Sequence, residues 1–370
     1  MTIRTRAVAA LSAITLAGLA LVGCSSSATP ATSGSASASA SAAAGFPADA
    51  TIGVSLPWLG TQNWAEGMDE FTSQLQAAGF KPLVQQADNK VPQQQSQIEA
   101  MIEQGAKVII VAPIDGSQLG SVLTKAKAAG ITVIGYDRLI ENTDAIDAIV
   151  QYGSVEIGRV QGQALLDGLA ERKGSGPYNI ELFAGGPADP NAPNFFKGAM
   201  EILQPKIDDG TLKVVSGQTS FEQAATLDWD NAKAQARMDT LLSGFYPKDV
   251  KLDGVLSPND GIARAIITAC KQAGKDIPVV DGLDAENESI VSIWKGEQYE
   301  TTNKATKPLV EETVKLVVAA QKGEAWPDPT STTNNGKIDV PLYELKPVAV
   351  TKANIQEVFK DDPKRLELLK

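Results

Sequence analysis

Residues 94–136 read QQSQIEAMIEQGAKVIIVAPIDGSQLGSVLTKAKAAGITVIGY, and the fold follows from how that stretch is punctuated. Segments of helical period cover 94–104 and 117–129, each is closed by a glycine (Gly105, Gly130), and each glycine leads within a few residues into a β-branched run, 108–112 and 132–136. Glycine is the residue that readily takes the left-handed backbone at a helix C-terminus. A helix that ends on glycine and passes into a short apolar strand is the repeating unit of a parallel sheet covered by helices.

The same rhythm extends in both directions. Upstream, strand candidates at 51–56 and 82–87 flank a helix over 63–78 that ends at Gly79. Downstream, strands are expected at 179–183, 213–217, 254–257 and 277–280. Helices are expected at 155–169, 195–204, 231–242, 262–273 and 306–321, with Gly274 closing the fourth of these. Four strands thus precede Asp137, and a comparable group occupies 178–280. A run of roughly 320 residues is long for one core, so two lobes are expected. The helix at 306–321, a strand-like segment at 338–340 and an amphipathic tail from Lys352 must pack back onto those lobes. The reading is therefore α/β, with two Rossmann-like lobes whose parallel sheets are joined by a multi-strand hinge beside a cleft. Residues 48–152 with 303–336 are assigned to the N-terminal lobe, and 153–302 with 337–370 to the C-terminal lobe.

Composition narrows the chemistry. The 370-residue chain has no histidine, two cysteines and a formal charge of −11. Without imidazole there is no Ser-His-Asp or Cys-His pair, no HExxH zinc site and no switch centred near neutral pH. The acidic balance offers nothing to grip a phosphate backbone, so nucleic acid is not an expected partner. No GxGxxG, GxxxxGK[ST] or DxDxDG motif occurs, and neither a cofactor nor a metal is expected.

The N-terminus reads as targeting, not as fold. Arg4 and Arg6 precede an uncharged apolar run, 7–22, that ends Leu21-Val22-Gly23-Cys24. The run is shorter than the roughly 20 residues a membrane-spanning helix needs. Its end resembles the lipobox of bacterial lipoproteins, which implies a signal peptide over 1–23, lipidation at Cys24 and a protein held at the outer face of the cell membrane. Residues 24–47 are dominated by Ser and Ala, a composition that forms a flexible tether. Cys270, in an apolar helical run, reads as a buried free thiol.

In open α/β sheets ligands bind beyond the carboxyl ends of the strands. The residues there are Pro57, Trp58, Asn63 and Trp64; Asp137 and Arg138; the loop 185–191, GGPADPN, ending at Asn191; then Trp229; Asn259 and Asp260; Asp284; and Lys304. Indole faces pack on the C–H faces of a pyranose, and carboxylates, amides and cations supply paired hydrogen bonds for vicinal hydroxyls. The set therefore suits a neutral polyhydroxylated ring. Each residue also has a structural alternative: Asp260 either meets the ligand or orients Asn259, and Trp64 and Trp229 are either core rings or stacking walls.

Several stretches carry a family resemblance: 95–99 (QSQIE), 136–140 (YDRLI), 183–186 (FAGG) with Asn191-Ala192, 236–238 (ARM), 257–260 (SPND) and 346–348 (KPV). In this order, from about Thr51 to the C-terminus, the chain resembles the periplasmic binding proteins of sugar ABC transporters, in the xylose-binding and multiple-sugar-binding branch. The resemblance implies a type I two-lobed, Venus-flytrap fold that closes on one monosaccharide, acts as a monomer and docks on a permease. It implies that Asp137 and Arg138 hold the sugar from one lobe, Asn191, Trp229, Asn259 and Asp284 from the other, and Lys304 beside the hinge, with Asn63 and Trp64 completing the wall. Two positions depart from the pattern. Gln62-Asn63-Trp64 stands where the xylose-binding relatives have Glu-Arg-Trp, and Gly282-Leu283-Asp284-Ala285 where they have Gly-Gln-Asp-Ala. The competing readings are a sensory module that presents sugar to a membrane receptor and a carbohydrate-active enzyme using Asp137 and Asp284.

Overall fold

A computed structural model describes residues 45–370. The signal peptide, Cys24 and most of the tether lie outside the described residues. The chain opens with β1 (Thr51–Leu56), α1 (Gln62–Ala77), β2 (Lys81–Gln86), α2 (Val91–Glu103), β3 (Val108–Val111), α3 (Gly120–Ala128), β4 (Thr132–Tyr136) and β5 (Ala148–Tyr152). It continues through α4 (Ser154–Lys173), β6 (Tyr178–Leu182), α5 (Ala192–Asp208), β7 (Leu212–Val214), α6 (Phe221–Ala224), a 3-10 turn (Leu227–Trp229), α7 (Asn231–Phe245), β8 (Gly254–Leu256), α8 (Asp260–Gln272), β9 (Val279–Val280), α9 (Asn287–Lys295) and β10 (Glu300–Asn303). It closes with α10 (Thr306–Lys322), β11 (Ser331–Asn334), β12 (Asp339–Leu345), β13 (Val348–Thr351), α11 (Ile355–Val358) and α12 (Pro363–Glu367).

Two sheets result. The first has the order β11-β12-β5-β4-β3-β1-β2 and the second β7-β6-β8-β9, while β10 and β13 form an antiparallel pair between them. All pairings within the two sheets are parallel except β11 with β12. β3, VIIV, is buried at every residue, as expected of a central strand covered on both faces by helices. Backbone bonds from Tyr299 to Val280 and from Thr302 to Gly282 lay the start of β10 beside the end of β9. The chain crosses between the sheets after Tyr152, after Asn303 and after Leu345.

The assignment of 337–370 to the second lobe needs correction. β12 pairs with β5, Leu342 opposite Ile149 through Leu345 opposite Tyr152, and so extends the first sheet. Its Val340, Leu342 and Tyr343 are buried there. The exposed edge of β5 and those apolar side chains outweigh the break that Pro341 signals in the sequence; Pro341 faces β11, on the outer hairpin. The third crossing therefore falls at 346–347. β5 itself has no strand assignment in the sequence reading because no helix separates it from β4, which interrupts the alternation.

Cys270 is fully buried and unpaired, and burial pushes its thiol up to about 12, so it acts as a small core hydrophobe. Among the described residues no helix is long and apolar enough to cross a membrane.

Candidate functional site

A cleft of about 360 Å³, measured out to its open mouth, lies between the two lobes. All nine residues that the resemblance assigns to the sugar line it: Asn63, Trp64, Asp137, Arg138, Asn191, Trp229, Asn259, Asp284 and Lys304. Trp58, Thr61, Asp189, Phe195 and Leu283 line it as well.

The strand ends place these groups, and the backbone holds several of them in uncommon conformations. Asp137, Asp228, Trp229, Asp284 and Ala285 all have positive φ, from 50° to 96°. For side chains other than glycine this costs on the order of 1–3 kcal/mol each, and such strain concentrates where function over-determines the geometry. The loop carrying Trp229 is accommodated by Gly185 and Gly186. A Cβ on Gly185 would lie 2.2 Å from Cη2 and Cζ2 of the indole, so the ring rests directly on that backbone. Phe195 of α5 meets the same indole edge-on at 6.5 Å.

A buried charge cluster forms the floor. Lys304 Nζ lies 2.8 Å from Asp137 Oδ2 and 3.4 Å from Asp284 Oδ1. Burial works against its ammonium charge, but Asp137 and then Asp284 outweigh that and hold Lys304 above the ordinary lysine value. Burial pushes Asp284 up to about 6, with Lys304 pulling in the opposite direction. Arg138 pairs with Asp189 of the other lobe at 2.9 Å, both buried. Burial raises Asp189 and the guanidinium opposes it. Trp64, only 3% exposed, lies 5.2 Å from the Arg138 guanidinium and 5.9 Å from Lys304 Nζ, a backing surface for both cations.

The amides divide their two ends between protein and cleft. Asn259 caps α8 by accepting the Ile262 N–H at 3.0 Å, and Asn63 accepts the Thr61 hydroxyl at 2.6 Å; in both, the oxygen is committed and the NH₂ is left to donate elsewhere. Asn191 differs. Its Nδ2 donates to the Asp137 carbonyl across the cleft at 2.8 Å while Ser154 donates to its Oδ1, so it ties the lobes together. Asp260 does not line the cleft. It accepts the Glu286 N–H and Gln298 Nε2, both at 2.8 Å, beneath the loop of Asp284, and burial, then Glu286, pushes it up to about 8. Neither of its two readings describes it: its carboxylate bonds Glu286 and Gln298, not Asn259.

Among the buried polar atoms without a protein hydrogen bond are Arg138 Nε, Trp229 Nε1 and Asp284 Oδ1, the last also ion-paired with Lys304. Two donors and an acceptor without protein hydrogen bonds thus belong to one cleft. Groups of this kind are rarely left without partners.

The lining residues to which the resemblance gives no ligand role were partly visible. Asp189 lies inside the loop 185–191, but nothing in the sequence pairs it with Arg138. Trp58 follows β1 directly. Phe195 reads as one more apolar residue of an amphipathic helix.

Comparison with known proteins agrees with this geometry. The profile of the periplasmic binding protein domain matches residues 52–325. The chain is 43% identical over 322 residues to a multiple sugar-binding periplasmic receptor of Rhizobium radiobacter, covering 85% of this chain and 90% of that one. It is 32% identical over 316 residues to the D-xylose-binding periplasmic protein of Escherichia coli, again covering 85% and 90%. Its fold superposes with a TM-score of 0.81 on an ABC transporter solute-binding protein from Clostridium phytofermentans with bound β-D-glucose, at 37% identity, covering 86% of this chain and all of that one. With the profile spanning most of the chain and relatives of this identity along nearly its whole length, the protein belongs to the periplasmic binding protein family, with the two-lobed type I fold.

Proposed function

We propose that this protein captures one aldopyranose, such as glucose, xylose or galactose, between its lobes and delivers it to the permease of an ABC transporter, without chemical change to the sugar. The observation that carries the reading is the set of buried atoms without a protein hydrogen bond, Arg138 Nε, Trp229 Nε1 and the Lys304-paired Asp284 Oδ1, in a cleft walled by indoles. A ring bearing vicinal hydroxyls satisfies donors and acceptors at once while its C–H faces cover the aromatic surfaces. The named relatives are sugar-binding proteins, and a glucose-bound neighbour shares the fold.

The mechanism is a two-state hinge. The contacts Arg138 with Asp189 and Asn191 with Asp137 span the cleft and exist only with the lobes together. A sugar that bonds both walls adds free energy to that state alone, and this difference moves the population. A shift from 1:99 to 99:1 needs roughly 5.5 kcal/mol, which a few charge-assisted bonds at roughly 1.5–3 kcal/mol each supply.

The test is a thermal-shift and calorimetry panel of aldopyranoses. Ligand at 100 times its Kd adds about 2.7 kcal/mol, a rise in Tm on the order of 4 °C. The shift is expected with a small subset of sugars and is lost in Trp229→Ala. No shift with any sugar in folded protein stripped of co-purified ligand overturns the reading. The relative in Rhizobium radiobacter is named a receptor, which favours a second reading: the same capture step presented to a membrane receptor, distinguished by which membrane protein retains the sugar-loaded form.

Anchoring belongs to the same proposal. Cleavage before Cys24 and acylation of its thiol keep the domain on the outer face of the membrane, the tether setting its reach. Mass spectrometry of the N-terminal peptide is expected to show the lipid on Cys24; an unmodified N-terminus downstream of it overturns the anchor.

A further inference from the structure

The loop from β1 to α1 brings a third indole to the cleft. We propose that Trp58 is a specificity-determining residue, the mouth-side wall that favours a bare pyranose ring over one extended by a substituent, and that Gly60 is its positioning residue. This rests on the reading of the cleft as a sugar site.

The chain leaves β1 through buried Ser55, Leu56 and Pro57, reaches half-buried Trp58, and is fully at the surface by Leu59, 44% exposed, and Gly60. Trp58 therefore stands where the lobe turns from interior to solvent, and it lines the same cleft as Trp64 and, from the other lobe, Trp229. The first-lobe indoles are placed differently. Trp64 is enclosed by Tyr136, Arg138 and Lys304, so most of its surface is used within the protein. Trp58 forms no such aromatic or cationic pair among the described residues and keeps part of its ring uncovered.

Its position is set locally. A Cβ on Gly60 would lie 2.7 and 2.8 Å from Cε3 and Cζ3 of Trp58, so the indole rests on the backbone two residues ahead, and any side chain there must displace it. The carbonyl of Pro57 accepts the Asn89 N–H at 2.9 Å and fixes the start of the loop, and the Thr61–Asn63 bond fixes its end. A ring held this way is one more fixed wall of the cleft that Trp64 and Trp229 also line, so a substituent on the pyranose that projects toward it meets the indole.

The experiment is isothermal titration of the purified full chain with D-glucose or D-xylose and with the corresponding methyl glycoside, for wild type, Trp58→Ala, Trp58→Phe and Gly60→Ala, each checked for folding by circular dichroism. Trp58→Ala is expected to weaken the free sugar about ten-fold and to shrink its preference over the methyl glycoside several-fold, since it removes one stacking face and one wall. Gly60→Ala moves both quantities the same way although it adds only a methyl group outside the ligand, and it carries the test should Trp58→Ala not fold. Trp58→Phe keeps both near wild type. Wild-type binding with Trp58→Ala, or in its place Gly60→Ala, leaving affinity within two-fold and the preference unchanged overturns this inference alone. A wild type that binds neither these sugars nor any other aldopyranose of the panel overturns the sugar reading and this inference with it.

Discussion

Asp284 combines three constraints in one residue: a backbone at φ 96°, a carboxylate oxygen 3.4 Å from Lys304, and burial that pushes its pKa up to about 6. Two pH effects of opposite sign follow. As a hydroxyl acceptor Asp284 must be ionised, so sugar affinity is expected to fall as pH drops through about 6. Folding linkage runs the other way. A carboxyl whose folded pKa is raised contributes stability that is fully present below its unfolded value, roughly 4, and is lost as pH rises through about 6. Titration calorimetry and unliganded Tm measured from pH 4.5 to 7.5 are therefore expected to slope in opposite directions, and Asp284→Asn flattens this part of both. Parallel slopes would show that the sugar does not use this carboxylate.

At the level of the element, α8 shows how one side chain serves stability and recognition through different atoms. Asn259 Oδ1 caps the helix at Ile262, and its NH₂ is free to donate into the cleft. Serine caps comparably but has no amide to reach the ligand, whereas alanine loses the cap at a cost of about 1 kcal/mol. Asn259→Ser is expected to keep its urea midpoint close to wild type while sugar affinity falls about ten-fold, the loss of a hydrogen bond or two. Asn259→Ala is expected to lose both. Equal affinity in Asn259→Ser and wild type would restrict Asn259 to capping.

Across the whole molecule, contacts between the lobes extend from the cleft to its rim. Arg138 pairs with Asp189, the Gln62 side chain accepts the Asn287 N–H at 2.8 Å while its backbone donates to Glu286, and Arg365 of α12 reaches Glu66 of α1 at 3.2 Å. These differ in weight. Arg365 with Glu66 is partly exposed and is worth roughly 0–1 kcal/mol, whereas breaking a buried pair costs about 3–5 kcal/mol because one charge is left alone. With the lobes apart Arg138 is free to meet water, so this cost falls on the closed state. Asp189→Ala is accordingly expected to weaken sugar binding more than about 100-fold, chiefly through faster release, and Arg365→Ala only about two-fold. Stopped-flow tryptophan fluorescence reads both. Equal, small effects would place the Arg138–Asp189 pair outside the closing contacts.

The alternation of helix, glycine and strand determined the α/β class and two lobes, because period and C-cap chemistry are local properties of the chain. The strand ends also made most of the cleft residues legible, since a parallel sheet delivers its loops to one edge. Tertiary structure alone decided the rest. β12 joins the first sheet through an edge of β5 that lies far away in sequence. Asp189 finds Arg138 only when the lobes meet. Trp64 became a backing for two cations while Trp58 took the mouth, although both follow β1 and both are indoles. Local sequence dictates which face a residue can offer, but what occupies that face depends on partners tens to hundreds of residues away, and only the packed chain brings them together.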